Sequence, residues 1–470
     1  MSVTHKHIDQ VQTVYFIGIG GIGMSAIARY FASIGKKVSG YDKTETENTK
    51  DLQAAGIEVH YTEDVERIPK DADYVVYTPA VPKDHKELVF YQEHGYPVVK
   101  RSDILQVITE TTFNICVAGT HGKTTTSTMV AHLLRDSGYG CNAFLGGISA
   151  NYDTNFWSSA NNVCVVEADE YDRSFLKLSP DVAVVTAMDA DHLDIYGTEE
   201  NVKEAFREFA GKVKPGGLLL KKFGLERKLA ADRTLTYSLQ NDSAEIHAAN
   251  IQMKDGGYYF DAVLEEKTIE GIRLNMGGMH NVENMMAAIA VADSMGIEGE
   301  KIKNAVAGFK GVKRRFEYII PPSPLGEGPG ERLVFVDDYA HHPEELKALI
   351  NGVKSLFPGK RCTLIFQPHL FTRTRDFASA FAEVLGKVDR VILLPVYPAR
   401  ELPIEGVSSN MILEKVELET KALYTKEQLL DWVENNFAVN RDKEFGEVLV
   451  TAGAGDIDKL VAPIKQILIK

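Results

Sequence analysis

Residues 113–126 read Phe-Asn-Ile-Cys-Val-Ala-Gly-Thr-His-Gly-Lys-Thr-Thr-Thr. The apolar run Phe113 to Ala118 predicts a buried parallel strand. Gly119, Thr120, His121 and Gly122 follow as a tight turn, and Lys123 and Thr124 open a helix expected to run to about Ser137. A glycine turn between strand and helix leaves backbone N–H groups converging on one point, where the helix dipole adds partial positive charge. Lys123 adds a full charge, and Thr124 offers a hydroxyl for Mg²⁺. These are the parts of a nucleotide phosphate cradle. The strict phosphate-loop pattern needs glycine where Val117 stands, so this is a shortened variant.

Downstream, Val163 to Val166 reads as a second buried strand, followed by Glu167-Ala168-Asp169-Glu170-Tyr171-Asp172. Four carboxylates in six residues form a solvated face in most proteins. Behind a hydrophobic strand they stand where a Mg²⁺-holding acid belongs, and Glu167 directly follows the strand. The strand Val182 to Thr186 ends in Met188-Asp189-Ala190-Asp191-His192-Leu193-Asp194, which is either a surface loop or the source of a nitrogen ligand, His192, for a second metal. A helix at 201–213, a glycine turn, a strand at 218–220 and a β meander from about 234 to 275 come next. Gly277-Gly278-Met279-His280-Asn281-Val282-Glu283-Asn284 starts a helix through Ala292. Asn281 and Asn284 share a face there, as readers of a purine edge or as helix caps.

Upstream, the strand Thr13 to Ile17 leads into Gly18-Ile19-Gly20-Gly21-Ile22-Gly23, a G-x-G-x-x-G turn. A helix from Met24 to Ile34 and a strand from Lys37 to Tyr41 follow, closed by Asp42 where a dinucleotide fold places its ribose contact. The βα rhythm continues through a helix near 48–55 and strands at 58–60 and 74–77. Thr78-Pro79-Ala80-Val81-Pro82 then breaks it at a strand's carboxyl end, the ligand side of such sheets. The turn holds a diphosphate by geometry, so NAD and a nucleotide sugar both satisfy it.

Beyond Val312-Lys313-Arg314-Arg315-Phe316-Glu317, a Pro/Gly loop spans 321–331. The strand Leu333–Val336 ends in Asp337-Asp338-Tyr339-Ala340-His341-His342-Pro343, and a helix is expected at 344–356. The strand Arg361–Phe366 ends in Gln367-Pro368-His369-Leu370-Phe371-Thr372-Arg373-Thr374-Arg375, with a helix at 376–386. Strands at 390–394 and 448–451 complete a second Rossmann-like unit, with its polar clusters again after strands.

At 470 residues the chain is too long for one ordinary domain. The segments divide as 1–109, 110–313 and 314–470, all α/β. A net charge of −14 argues against nucleic acid or an anionic membrane surface as partner, so an anionic ligand must meet local charge such as Lys123, Arg314, Arg315, Arg373 or Arg375. The four cysteines are few and scattered, and Cys116, Cys164 and Cys362 read as buried free thiols. The polar first 12 residues carry no signal-peptide core, and no apolar run reaches the ~18–20 residues of a membrane span, so a cytoplasmic location is expected.

Taken together, these stretches resemble the Mur ligases of bacterial peptidoglycan synthesis. The resemblance rests on Gly18–Ser25, Gly119–Thr126, Glu167–Asp172, Asp191–Asp194, His280–Asn284, Arg314–Glu317, Asp337–Pro343, Gln367–Arg373 and Gly453–Ile457, in one order along nearly the whole chain. Within the family it is nearest to the members that join L-alanine to UDP-N-acetylmuramic acid. The near neighbour, the ligase that salvages muramyl tripeptide, has a different first glycine turn.

The resemblance implies three domains: a Rossmann-like UDP-binding domain, a central phosphate-loop ATPase domain with a small meander, and a C-terminal Rossmann-like amino-acid domain. It implies a UDP-sugar, not NAD, at Gly18, Gly20, Gly21, Ile22, Gly23, Met24 and Ser25, with Asp42 and Thr78. ATP is implied at Gly119, Thr120, His121, Gly122, Lys123, Thr124 and Thr125, with Asn281 at the adenine, Asp338 near the ribose, and Arg314 and His342 alongside. Thr124 and Glu167 would hold one Mg²⁺ (Mn²⁺ as a substitute), and His192 a second metal. Tyr339, His341 and Arg373 would line the alanine site, with Lys123, His192, His341 and Arg373 as the catalytic set. The family usually has Asn where Ala187 stands, Arg where Leu370 stands and Gly where Arg400 stands. Leu370 removes a carboxylate partner, so amino-acid binding leans on Arg373, Arg375 or Arg400. The implied reaction passes through an acyl phosphate, with domain closure bringing the substrates together and a monomer or weak homodimer as the working form.

Overall fold

The computed structural model describes residues 6, 8–78, 80–189, 193–322, 333–399, 401–442 and 445–469. The expected His192, Asp191 and Arg400 positions lie outside these residues. The chain divides into two compact units, one of Met1–Ala249, Ala262–Glu270 and Glu283–Val306, the other of Asn250–Asp261, Gly271–Val282 and Ala307–Lys470.

In the first unit, β1 (Thr13–Ile17), β2 (Lys37–Tyr41), β3 (Glu58–His60), β4 (Tyr74–Tyr77) and β5 (Val98–Lys100) form a parallel sheet in the order β3-β2-β1-β4-β5. All five residues of β1 are buried, as a central parallel strand covered on both faces requires. Beneath it lies a polar core. Glu87 is fully buried and accepts from Tyr15 Oη at 2.7 Å and the Asp64 N–H at 2.9 Å, with His60 Nε2 at 2.8 Å. Burial would raise the Glu87 pKa, but these hydrogen bonds hold it below its ordinary value.

The second sheet contains β6 (Phe113–Ala118), β7 (Asn142–Ser149), β8 (Thr154–Trp157), β9 (Val163–Glu167), β10 (Val182–Val185), β11 (Leu218–Lys222) and β12 (Arg233–Ser238). Their order is β12-β11-β10-β6-β9-β7-β8, parallel except for the β7–β8 hairpin. A meander of β13 (Ile246–Lys254), β14 (Gly257–Val263) and β15 (Thr268–Leu274) continues the series beyond β12. The three central neighbours β10, β6 and β9 deliver the phosphate turn and Glu167 to one carboxyl edge. The helix Ile22–Ser33 packs Tyr30 against Phe144 and Phe156, with ring centroids 5.2 and 6.2 Å apart, joining the first sheet's helix to the β7–β8 hairpin.

In the second unit, β16 (Glu317–Ile320), β17 (Leu333–Asp338), β18 (Arg361–Phe366), β19 (Arg390–Leu393), β20 (Lys421–Leu423) and β21 (Glu447–Ala452) run in the order β16-β17-β21-β18-β19-β20. Only β16 is antiparallel. The last strand in sequence lies at the centre, with Gly453–Ile457 leaving its carboxyl end between those of β17 and β18.

Most expected elements stand within two residues of their sequence bounds. The pair Gly146-Gly147 lies inside β7. One reading is corrected. The helix expected at 376–386 starts at Phe371, which puts Arg373 and Arg375 in its first turns instead of in a loop. Thr372 N–H and Oγ1 both donate to Glu401, a tertiary anchor that starts the helix early. All four cysteines are buried free thiols. No helix among the described residues is long and apolar enough to cross a membrane.

Candidate active site

The phosphate turn has the backbone that the glycines anticipate. Gly119 has φ +139° and Gly122, which precedes the helix Lys123–Asp136, has φ +82°. A Cβ on Gly119 would overlap the Thr186 hydroxyl, so only glycine fits. Thr186 Oγ1 donates to the carbonyls of Ala118, at 3.2 Å, and His121, tying the turn to the end of β10. The Asp189 N–H donates to Thr120 Oγ1 at 3.1 Å, and the exposed His121 ring lies 3.7 Å from the Asp189 carboxylate. Thr124 and Thr125 are buried in the first turn of the helix.

Lys123 Nζ donates to the Gly119 carbonyl at 2.8 Å and pairs with Glu170 at 2.7 Å. Glu170 is only 1% exposed, and Tyr196 Oη donates to its carbonyl at 2.6 Å. Glu170 stands in the same acidic run as Glu167, and nothing in the run itself distinguishes the lysine's partner from the residue on Thr124. Each carboxylate has its own task. Thr124 Oγ1 donates to Glu167 Oε1 at 2.9 Å, and the Gly146 N–H donates to Glu167 Oε2 at 2.9 Å. A Cβ on Gly146 would overlap that carboxylate, so β7 is shaped around it. A hydroxyl and a carboxylate side by side, next to a phosphate turn, match the oxygen donors of a nucleotide-bound Mg²⁺, which keeps most of its remaining ligands as water and phosphate. Among the described residues no group of three or more His, Cys, Asp or Glu forms a closed metal cage.

At the first turn, the Gly18 and Ile19 N–H groups both donate to the Tyr41 carbonyl, and the Gly20 N–H donates to Asp42 Oδ2 at 2.7 Å. Asp42, expected to reach a ribose, braces the turn in this arrangement. Asn48 Nδ2 donates to the Gly20 carbonyl at 2.8 Å and to the buried Ser25 hydroxyl at 2.9 Å. Gly21, Ile22, Gly23, Met24 and Thr78 line a cavity of about 400 Å³ that also reaches Arg101, Gly146, Glu167 and Asp169. Arg101 packs against Gly23 and lies 3.5 Å from the Asp169 carboxylate. No sequence signal near Arg101 marked it, because its place depends on the helix Arg101–Glu110 meeting the first turn.

In the second unit, Arg314 lies 3.3 Å from Asp337, donates to the Gly453 carbonyl and stacks 5.1 Å over the Tyr339 ring. Burial pushes the Asp337 carboxyl up to about 7, against the pull of Arg314 and Thr451. Burial likewise raises Asp338 to about 6, although its carboxylate accepts from the Phe316 and Ala340 N–H groups, each at 2.7 Å. The His342 ring caps the helix Pro343–Leu356 by accepting from the Glu344 N–H. Asn281 is buried and donates to the Gly277 carbonyl at 2.6 Å, holding the turn before its helix.

His341 and Arg373 fall near His369, and the Tyr339 ring packs on that of His341 at 5.1 Å; the sequence pattern alone assigns His369 no role. The His341 ring lies 5.9 Å from that of His369, and His369 stacks on Tyr397 at 5.8 Å. Burial lowers the His369 pKa, as do the nearby His341 and Arg373. Arg373 Nη1 and His369 Nδ1 are buried without a hydrogen-bond partner; the guanidinium N–H is a charged donor suited to a carboxylate, and the imidazole donates beside it in its Nδ1–H tautomer. Leu370 holds φ +69° immediately before this helix.

A phosphate turn, an acid–hydroxyl pair and a diphosphate-type turn on parallel sheets define a nucleotide-using α/β protein of several domains. Residues 13–112 match the Mur ligase family catalytic domain, 117–292 the Mur ligase middle domain and 314–455 the Mur ligase glutamate ligase domain. The chain belongs to the Mur ligase family, and its fold has that family's three α/β domains. It is 45% identical to the UDP-N-acetylmuramate–L-alanine ligase of Cytophaga hutchinsonii, with 99% of this chain and 97% of the relative covered. It is 47% identical to the ligase of the same name from Porphyromonas gingivalis, over 97% and 99%. The solved UDP-N-acetylmuramate–alanine ligase of Thermotoga maritima is 27% identical, with a TM-score of 0.76 over 97% of this chain and 98% of that one.

Proposed function

We propose that this protein is an ATP-dependent amide ligase joining L-alanine to the lactyl carboxylate of UDP-N-acetylmuramic acid. Its working parts are residues 1–109 for the UDP-sugar, 110–313 for ATP and 314–470 for the amino acid. The observation that carries the reading is the single cavity running from the Gly21–Met24 turn to Glu167, whose other face holds Thr124. A nucleotide sugar seated on the turn can extend its acid toward the γ-phosphate.

An amide forms from a carboxylate only after activation. The lactyl oxygen attacks the γ-phosphorus, the bond to the β–γ bridging oxygen breaks, and ADP departs. The alanine amine then attacks the acyl carbon, and phosphate leaves from the tetrahedral adduct. Lys123 exchanges its Glu170 partner for the γ-phosphate and offsets the repulsion between two anions. Glu167 and Thr124 would hold Mg²⁺, which spreads phosphate charge. Arg101 is placed to meet the diphosphate or the lactyl acid. Arg373 and His369 take the alanine carboxylate, and His341 accepts the amine's proton. The family resemblance assigns His192 to a second metal.

The test is phosphate release from ATP with UDP-N-acetylmuramate, scanning amino acids. Release with L-alanine alone among them is expected. No release with any amino acid, or equal release without the sugar, would sink the proposal.

A further inference from the structure

A cavity of about 600 Å³ lies away from both nucleotide turns, lined by Arg29, Arg135, Cys141, Phe156, Trp157 and Ser159. Arg135 is in the last turn of the helix Lys123–Asp136, about 20 Å of helix from the phosphate turn at 1.5 Å per residue. A volume in this range accommodates a small organic ligand.

Both arginines lack a strong partner. Arg29 reaches Asn48 Oδ1 at 3.3 Å, Thr154 Oγ1 at 3.4 Å and the exposed Asp51 at 3.9 Å, all long contacts, and its Nε is buried with no acceptor. Burial works against the Arg29 charge, and Asp51 restores it only in part. Arg135 is held by rings rather than by a carboxylate, 3.9 Å over Tyr152 and 5.2 Å from Trp157. In a chain of net charge −14, two under-compensated guanidinium groups lining one cavity with the buried Phe156 and Trp157 constitute a local site for an anion with a flat apolar body.

We infer that this cavity binds a small ring compound bearing a phosphate or carboxylate, and that binding weakens the hold on the nucleotide sugar. The coupling runs through Asn48, whose Oδ1 accepts from Arg29 while its Nδ2 holds the Gly20 carbonyl and Ser25. A charge-assisted bond to an oxyanion is shorter and stronger than the present 3.3 Å contact, so it draws Arg29 from Asn48 and frees the clamp on the first turn. The direction of this effect rests on the reading of that turn as the UDP-sugar site.

The test uses Trp432→Phe, which leaves Trp157 as the sole indole of a chain with two. With ADP and UDP-N-acetylmuramate saturating their sites, phenyl phosphate, benzoate and inorganic phosphate are titrated in turn. Phenyl phosphate or benzoate is expected to quench Trp157 saturably, and inorganic phosphate more weakly. Arg29→Gln and Arg135→Gln should each raise the half-saturating concentration about tenfold or more, about the loss of one charged bond. Should Arg135→Gln fail to fold, Ser158→Phe replaces it with the same expectation, since Ser158 is an exposed residue of the cavity lining. In the unaltered chain phenyl phosphate should raise the KM for UDP-N-acetylmuramate severalfold with kcat unchanged, and Arg29→Gln should abolish that shift. Absence of a saturable quench, or one untouched by these variants, overturns the site. A quench with an unmoved KM overturns the coupling. The fluorescence reading needs no turnover, so failure of the ligase assignment shows separately as an absence of sugar-dependent phosphate release.

Discussion

Glu170 and Lys123 form a buried ion pair. Removing one partner of such a pair typically costs about 3–5 kcal/mol. Lys123→Ala is therefore expected to abolish phosphate release and also to lower Tm, whereas Lys123→Met with Glu170→Gln should recover Tm but not turnover. Full activity in Lys123→Ala would refute the cradle. Asp337 supplies a pH signature. Its folded pKa of about 7 lies above the ordinary carboxylate value of about 3.9. The raised value means that its contribution to stability is fully present below about pH 4 and is lost as pH rises to about 7, at up to about 1.4 kcal/mol per unit. Asp337→Asn should shrink the fall in Tm between pH 5 and pH 8, and an unchanged pH profile would count against that account.

Among the elements, β7 is shaped to serve β9. Gly146 puts its N–H on Glu167 and leaves room for the carboxylate, so Gly146→Ala should raise the Mg²⁺ concentration needed for half-maximal rate about tenfold or more while Tm stays within a few degrees. An unaltered Mg²⁺ requirement would remove Glu167 from the metal assignment. The start of the helix Phe371–Leu385 is a second case. Leu370 is pinned at φ +69° by bonds from its N–H to the Tyr397 carbonyl and to its carbonyl from Thr374. Backbone held in such a region costs of order 1–3 kcal/mol and persists where surroundings enforce it. A β-branched residue fits there worse, so Leu370→Val should lower stability by about 1–2 kcal/mol and raise the KM for the amino acid. The polar run Thr372–Arg375 carries no apolar periodicity, which is why this helix start was illegible in sequence: Glu401, 29 residues away, supplies the anchor.

For the whole molecule, ligand linkage is the practical check. ATP with Mg²⁺ at one hundred times its Kd should stabilise the chain by about 2.7 kcal/mol, read as a rise in Tm. Lys123→Ala should lose that rise, and a rise of equal size in the variant would place ATP elsewhere. The three sheets, their parallel sense and the positions of both glycine turns were legible in the sequence. Parallel strands buried on both faces read as continuous apolar runs, and turns with positive φ or no room for a Cβ, such as Gly119, favour glycine, so chain chemistry marks them. The partnerships were not. Glu170 on Lys123, Arg101 on Gly23, Asp42 turned back on Gly20, and Arg29 in one cavity with Arg135 bring together residues 22 to 106 positions apart. A charged side chain takes whichever counter-charge, dipole or ring folding brings within a few ångströms, and only the tertiary structure decides which one that is.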